Sequence, residues 1–193
     1  MRTRPERSRD PTAGASTFRI RLAVAGDAPR LAWIRTVTWR DAYAAIMGSH
    51  ALERVGKRDG ERMRRAVADQ RGGRRVWLVE DDEGTAFGYV WLGPQTDRAL
   101  GKAGPFFGEV YELYLHPHWQ RRGAGTALLV HAIWDLINAG LGPVMLWVLG
   151  ENGARHFYEG VGGVCFGSRR IEFGGRTMTK FAYGWHEQLP LPR

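Results

Sequence analysis

The run Glu109-Val110-Tyr111-Glu112-Leu113-Tyr114-Leu115-His116-Pro117-His118-Trp119-Gln120-Arg121-Arg122-Gly123-Ala124-Gly125-Thr126 decides how the chain is read. Val110 to Leu115 carries the apolar and aromatic residues of a strand, and Pro117 lies just past its end. From Thr126 to Ala139 the pattern turns helical, with Leu129, Ile133, Leu136 and Ile137 spaced for one buried face. A strand therefore delivers the chain into a turn dense in glycine and arginine, and that turn opens a helix. The first N–H groups of a helix lack partners and sit at the positive end of its dipole, so they form a ready anion site. Gly123 and Gly125 carry no side chain to keep a ligand from the backbone. Arg121 and Arg122 add charge-assisted donors suited to phosphate. The physical prediction is a pyrophosphate seated at this turn.

Two familiar nucleotide motifs fail here. A phosphate-binding loop of the Gly-x-x-x-x-Gly-Lys-(Ser/Thr) type is absent from the sequence, and a dinucleotide fingerprint requires glycine where Leu128 stands. Working outward, Val144–Leu149 is almost wholly apolar, as expected of a strand covered on both faces. A short helix is predicted at Ala154–Val161, then two strands at about 164–173 and 177–185 around Gly174-Gly175. Upstream, Phe18, Ile20 and Leu22 alternate with polar or small residues as in a half-buried strand. Asp27 offers an N-cap for a helix with Pro29 in its first turn and Leu31, Ile34 and Val37 on one face. A basic helix follows at about 51–70, its sparse apolar side being Leu52, Val55, Met63 and Val67. Val76–Val79 and Phe87–Leu92 flank an acidic turn and read as a hairpin, and 93–108 reads as a Gly/Pro loop. The order β-α-α-β-β-β-α-β-α-β-β describes a single mixed α/β sheet.

With 193 residues, 44% hydrophobic and 25% charged, the chain suits one soluble globular domain. We expect a basic, disordered leader over residues 1–16, a domain over 17–187 and a tail over 188–193. No apolar run approaches the ~18–20 residues of a membrane-spanning helix, and the leader lacks the apolar core of a secretory signal. The single cysteine, Cys165, excludes a disulfide within the chain and a multi-thiolate metal site; it reads as a small buried hydrophobe in a cytoplasmic protein. The net charge of +8 attracts polyanions, which include nucleic acid and equally a phosphorylated cofactor. His116 and His118 lack the third ligand that a metal site requires, so no metal is expected.

The turn resembles the coenzyme A pyrophosphate loop of the GNAT superfamily of N-acetyltransferases, (Gln/Arg)-x-x-Gly-x-(Gly/Ala), which Gln120 to Gly125 matches at every defined position. A second block looks like the family's strand, asparagine and short helix ending in Phe-Tyr: Leu146–Asn152 and Ala154–Glu159. The resemblance departs after the tyrosine, where Val161-Gly162-Gly163 replaces the usual Leu-Gly-Phe, and at Glu112, where many relatives carry something small.

The resemblance implies a GNAT fold: an α/β architecture with one mostly antiparallel sheet of roughly seven strands, roughly four helices, and splayed central strands that bind acetyl-CoA. It further implies direct acetyl transfer from acetyl-CoA, as co-substrate, to a primary amine of a small molecule or peptide. On that basis Leu113, Tyr114 and Leu115 line the pantetheine arm, and a backbone N–H there polarises the thioester carbonyl. Gln120, Arg121, Arg122, Gly123, Ala124, Gly125 and Thr126 hold the pyrophosphate, and Asn152 meets the pantetheine, caps the helix at Ala154, or both. Tyr158 is the general acid and also touches the cofactor; Glu109 and Glu112 are both candidates for the general base. Strict alternation puts Glu109 on the face of Tyr111, Leu113 and Leu115, and Glu112 on the other unless a bulge intervenes. Trp39 and Tyr43 are candidate walls of an acceptor pocket bounded also by the 93–108 loop and the terminal hairpin. The competing readings are a non-catalytic acyl-CoA-binding or sensor module on the same fold, and nucleic-acid binding through the leader and residues 54–75. Homodimers are common on such folds.

Overall fold

In a computed structural model, which describes residues 17–43, 49–97, 105–173 and 176–186, the element order is the one expected. The elements are β1 (Arg19–Leu22), α1 (Ala28–Tyr43), α2 (Ser49–Ala68), β2 (Arg75–Glu80), β3 (Ala86–Pro94), β4 (Gly108–Leu115), α3 (Ala124–Asn138), β5 (Val144–Leu149), α4 (Ala154–Gly160), β6 (Val164–Phe173) and β7 (Arg176–Trp185). The strands form one seven-stranded sheet in the order β1-β2-β3-β4-β5-β7-β6. Every neighbouring pair is antiparallel except β4 and β5, which run parallel. The leader expected over 1–16 and the tail over 188–193 lie outside the described residues.

The sheet is covered on both faces by different helices. On one face, Leu128, Leu129, Ala132, Ile133 and Leu136 of α3 pack onto Val90, Val110, Val144, Leu146 and Val148. On the other, Leu31 and Ile34 of α1 and Met63 and Val67 of α2 pack onto Val76, Leu78 and Tyr89. Each fully buried Leu or Ile contributes about 1.5–3 kcal/mol by leaving water, so these two layers anchor the strands between them. No helix among the described residues is long and apolar enough to cross a membrane.

Local details differ from the sequence reading. Asp27 does not cap α1 from in front: it ends a short 3₁₀ turn, Ala25–Asp27, and its carboxylate accepts the Val24 N–H at 2.8 Å and two bonds from Arg21. Leu22 is exposed, at the end of β1, which is an edge strand. Cys165 is exposed rather than buried, since it begins the opposite edge strand, β6, at a register shift between Cys165 and Gly167. The 93–108 segment is shorter as a loop than expected, because β3 continues to Pro94 and β4 starts at Gly108.

Candidate active site

The parallel pair β4–β5 is joined at one end only. Its register runs Gly108↔Val144, Glu109↔Met145 and Val110↔Leu146, and stops. Beyond it, the β5-facing edge of Tyr111–Leu115 and the β4-facing edge of Trp147–Leu149 have no strand partner among the described residues. The two strands open as a V around a cavity of about 150 Å³. Its walls are β4 from Val110 to Tyr114 and β5 from Leu146 to Leu149, completed by Trp39 and Tyr43 of α1 and by Asn152 and Tyr158.

At the wide end of the V stands the glycine-arginine turn. Gly123 precedes α3 in the left-handed region, φ +85°, and Arg121 is left-handed too, φ +61°. A left-handed conformation costs a non-glycine residue roughly 1–2 kcal/mol, so the turn stores strain at Arg121 that its surroundings hold in place. The first bond of α3 runs from the Ala127 N–H to the Gly123 carbonyl at 3.0 Å. That leaves the N–H groups of Ala124, Gly125 and Thr126 without intrahelical partners. No protein atom lies within 4 Å of where a Cβ on Gly123 would stand, while one on Gly125 would meet the Phe157 ring at 3.6 Å. Gln120 donates from Nε2 to the Leu115 carbonyl at 3.1 Å, which ties the turn to the end of β4. Arg121, Arg122 and Gly123 are exposed, with the Arg122 guanidinium over the Trp119 ring. An open helix N-terminus flanked by two arginines, leading into an unpaired strand edge, fits a pyrophosphate followed by an extended arm.

The glutamates are arranged by a feature the sequence pattern concealed. Leu92 pairs with Val110 but Trp91 pairs with Glu112, so Tyr111 is an extra residue and β4 carries a bulge. The expected grouping of Glu109 with Leu113 and Leu115 is corrected accordingly. Leu113 and Leu115 pack with the α3 layer, while Glu109, in register with Met145, shares the α1 side with Glu112 and Tyr114. Their partners differ sharply. Glu112 Oε1 accepts from Arg35 Nε at 3.2 Å and from Arg62 at 2.7 and 2.8 Å, and Oε2 accepts the Tyr89 hydroxyl at 2.7 Å. Arg35 also pairs with the buried Asp59. Glu109 uses Oε2 alone, accepting the Thr96 N–H and hydroxyl, each at 2.8 Å. Its Oε1 has no hydrogen bond among the described residues.

Tyr158 lies in α4 against Tyr183 and Trp185 and lines the cavity. Burial, reinforced by Tyr43, raises its phenol well above the ordinary value, so it stays protonated at neutral pH. Its hydroxyl makes no hydrogen bond among the described residues. Asn152 is engaged on both sides: Oδ1 accepts the Ala154 N–H at 2.9 Å and Nδ2 donates to the Tyr43 hydroxyl at 2.9 Å. Trp39 donates its indole N–H to the Tyr114 hydroxyl at 2.7 Å and tilts against Tyr43. Burial, with the charge of Glu109 adding to it, pushes the Tyr111 phenol up to about 12.

Several contributors had no sequence signature. Arg35, Asp59, Arg62 and Tyr89 gather around Glu112 from three other elements. Trp147, which lines the cavity and carries the cations Arg169 and Lys180 over its ring, read only as part of an apolar strand. A tryptophan flanked by apolar residues gives no hint of a second role.

Comparison with known proteins agrees with this geometry. The chain is 26% identical over 172 residues to YuaI of Bacillus subtilis, an N-acetyltransferase itself uncharacterised, covering 89% of this chain and 95% of that one. The PaiA N-acetyltransferase of Thermoplasma acidophilum, solved with coenzyme A, shares the fold with a TM-score of 0.65 at 16% identity, covering 88% of this chain and 99% of that one. YncA of Salmonella typhimurium, solved with its cofactor acetyl-CoA, does so with a TM-score of 0.64 at 19% identity, covering 91% and 96%. The sequence profile of the acetyltransferase (GNAT) family matches residues 34–162, and the chain belongs to that family.

Proposed function

We propose that this protein moves the acetyl group of acetyl-CoA to a primary amine of a small molecule or peptide, by direct attack with both substrates bound. The observation that carries the reading is the open V between β4 and β5, whose cavity Tyr158 lines and past whose β4 arm the chain turns into the N-terminus of α3. The N–H groups of Ala124, Gly125 and Thr126, with Arg121 and Arg122, hold the pyrophosphate. The β5-facing edge of Leu113–Leu115, which has no strand partner among the described residues, holds the arm as a neighbouring strand would and supplies an N–H toward the thioester carbonyl.

Of the two glutamates, we assign the base to Glu109. A general base needs a lone pair free to take a proton, within reach directly or through one water. Glu109 Oε1 keeps a free lone pair among the described residues, one position from the cavity wall at Val110, whereas both oxygens of Glu112, itself on that wall, are committed to two guanidinium groups and a phenol. Glu109 removes the proton from the ammonium form of the acceptor, and the amine nitrogen then forms its bond to the carbonyl carbon. As the C–S bond breaks, Tyr158 donates its proton to the departing sulfur; the second proton that the attacking nitrogen must lose restores Tyr158 through water, and Glu109 releases the first to solvent. Glu112 fixes Arg35 and Arg62, and so the angle at which α1 and α2 meet β4.

The test is calorimetric titration of acetyl-CoA into the full chain and into Gly123→Glu, followed by an amine-library screen with thiol release as the readout. The substitution puts a carboxylate and a strained residue at the anion turn, so micromolar binding by the wild type and its loss in the folded variant are expected. Absence of binding by the wild type overturns the reading. Binding without turnover of any amine leaves a non-catalytic acyl-CoA-binding module.

A further inference from the structure

The α1 side of β5 and β7 carries a second group of charges beside the cavity. Trp147 lines the cavity, and two cations stand over its ring: the Lys180 ammonium at 4.2 Å and the Arg169 guanidinium at 4.6 Å from the centroid. Asp97 accepts from Arg169 and lies 4.0 Å from Lys180 Nζ. Its neighbour Thr96 holds Glu109 through N–H and hydroxyl. Two consecutive residues therefore join Glu109 on one side to a pair of cations on the other.

The two cations share the Asp97 carboxylate. Burial lowers the Lys180 amine from its ordinary value, Arg169 adds to that, and the opposing pull of Asp97 and Glu109 does not offset them. The Trp147 indole N–H is buried with no hydrogen-bond partner among the described residues. Glu112, on the cavity wall, is paired with Arg35 and Arg62, so its charge is largely offset by its own partners. A polyamine placed with one nitrogen at Glu109 would bring a second ammonium toward Lys180 and Arg169, which like-charge repulsion opposes. A carboxylate there gains charge-assisted hydrogen bonds instead.

We infer that the acceptor is a small zwitterion, an amine that also carries a carboxylate, with its ammonium toward Glu109 and its carboxylate toward Lys180 and Arg169. This rests on the acetyltransferase reading and names the substrate class of the same site. Lys180 and Arg169 are specificity residues here and take no part in the bond changes.

The experiment measures thiol release by the full chain at saturating acetyl-CoA. It uses a panel of amino acids, each beside the amine left by its decarboxylation, such as phenylalanine with phenethylamine and lysine with cadaverine. The carboxylated members are expected to have the higher kcat/KM by about tenfold or more. In Lys180→Met, and separately in Arg169→Met, that ratio falls toward one through a rise in KM for the carboxylated member. Circular dichroism establishes that each variant is folded. The inference is overturned if decarboxylated amines or polyamines are the better substrates of the wild type, or if the preference survives in both variants. Failure of every amine while acetyl-CoA still binds would instead overturn the acetyltransferase reading, so the two failures are told apart.

Discussion

Replacing each glutamate by glutamine separates their roles. Glu112 is 6% exposed and contacts Arg35, Arg62 and Tyr89 at once. Removing one member of a buried ion pair costs about 3–5 kcal/mol, because the partner charge is left uncompensated. Here the loss is moderated. The Arg62 side chain is 44% exposed and can return to water, and Arg35 keeps Asp59. Glutamine also retains an acceptor, so Glu112→Gln is expected to cost about 2–3 kcal/mol. For a chain of this size that lowers Tm by about 4–12 °C. Glu109→Gln keeps an oxygen for both Thr96 bonds, so its Tm stays within about 2 °C, while kcat/KM falls by about 10²–10⁴ with loss of a general base. The assays are thermal melting and thiol-release kinetics against pH. The loss of turnover is expected at every pH tested in Glu109→Gln, while Glu112→Gln stays active wherever it is folded. If Glu112→Gln melts like the wild type yet loses its activity, and Glu109→Gln remains active, the argument from free lone pairs is wrong and the base is Glu112.

Three further outcomes are expected. Tyr158→Phe leaves acetyl-CoA affinity within about threefold by calorimetry but lowers kcat by about 10²-fold, since only the departing sulfur needs the hydroxyl. Gly184→Ala places a Cβ 2.4 Å from the Phe106 ring and 3.2 Å from Phe166, and such overpacking costs about 1–3 kcal/mol in denaturant unfolding with an unchanged m-value. His131 stands edge-on to Trp77 with its Nε2 buried and unpartnered, and burial lowers its imidazole below the ordinary value. The unfolded chain therefore takes up a proton that the fold excludes. Stability is full above the ordinary histidine value and falls as pH drops through it toward the folded one. His131→Phe should flatten the loss measured by denaturant midpoints between pH 7 and pH 5, and an unchanged slope would show that His131 protonates freely in the fold.

What could be read in advance, and what could not, follows from how far each feature reaches along the chain. The turn from Gln120 to Thr126 and the helix it opens were legible because the signal is local: glycines, arginines and a helix start within seven residues suffice. The buried face of α3 was legible for the same reason, as a repeat within one helix. The network at Glu112 was not, because its partners come from positions 35, 62 and 89 and only the tertiary fold brings them together. Cys165 misled because burial depends on whether a strand lies inside the sheet or at its edge, which is a property of strand order and not of the residues in the strand. The bulge at Tyr111 is the most consequential case. A one-residue slip in pairing reverses every side chain beyond it, so alternation alone assigns Glu109 and Glu112 to opposite faces, whereas the extra residue puts both on the α1 side. With the face no longer able to tell the two glutamates apart, the distinction passes to what each carboxylate already holds. There the one bound only through a single oxygen, by a threonine, is the one left able to take a proton.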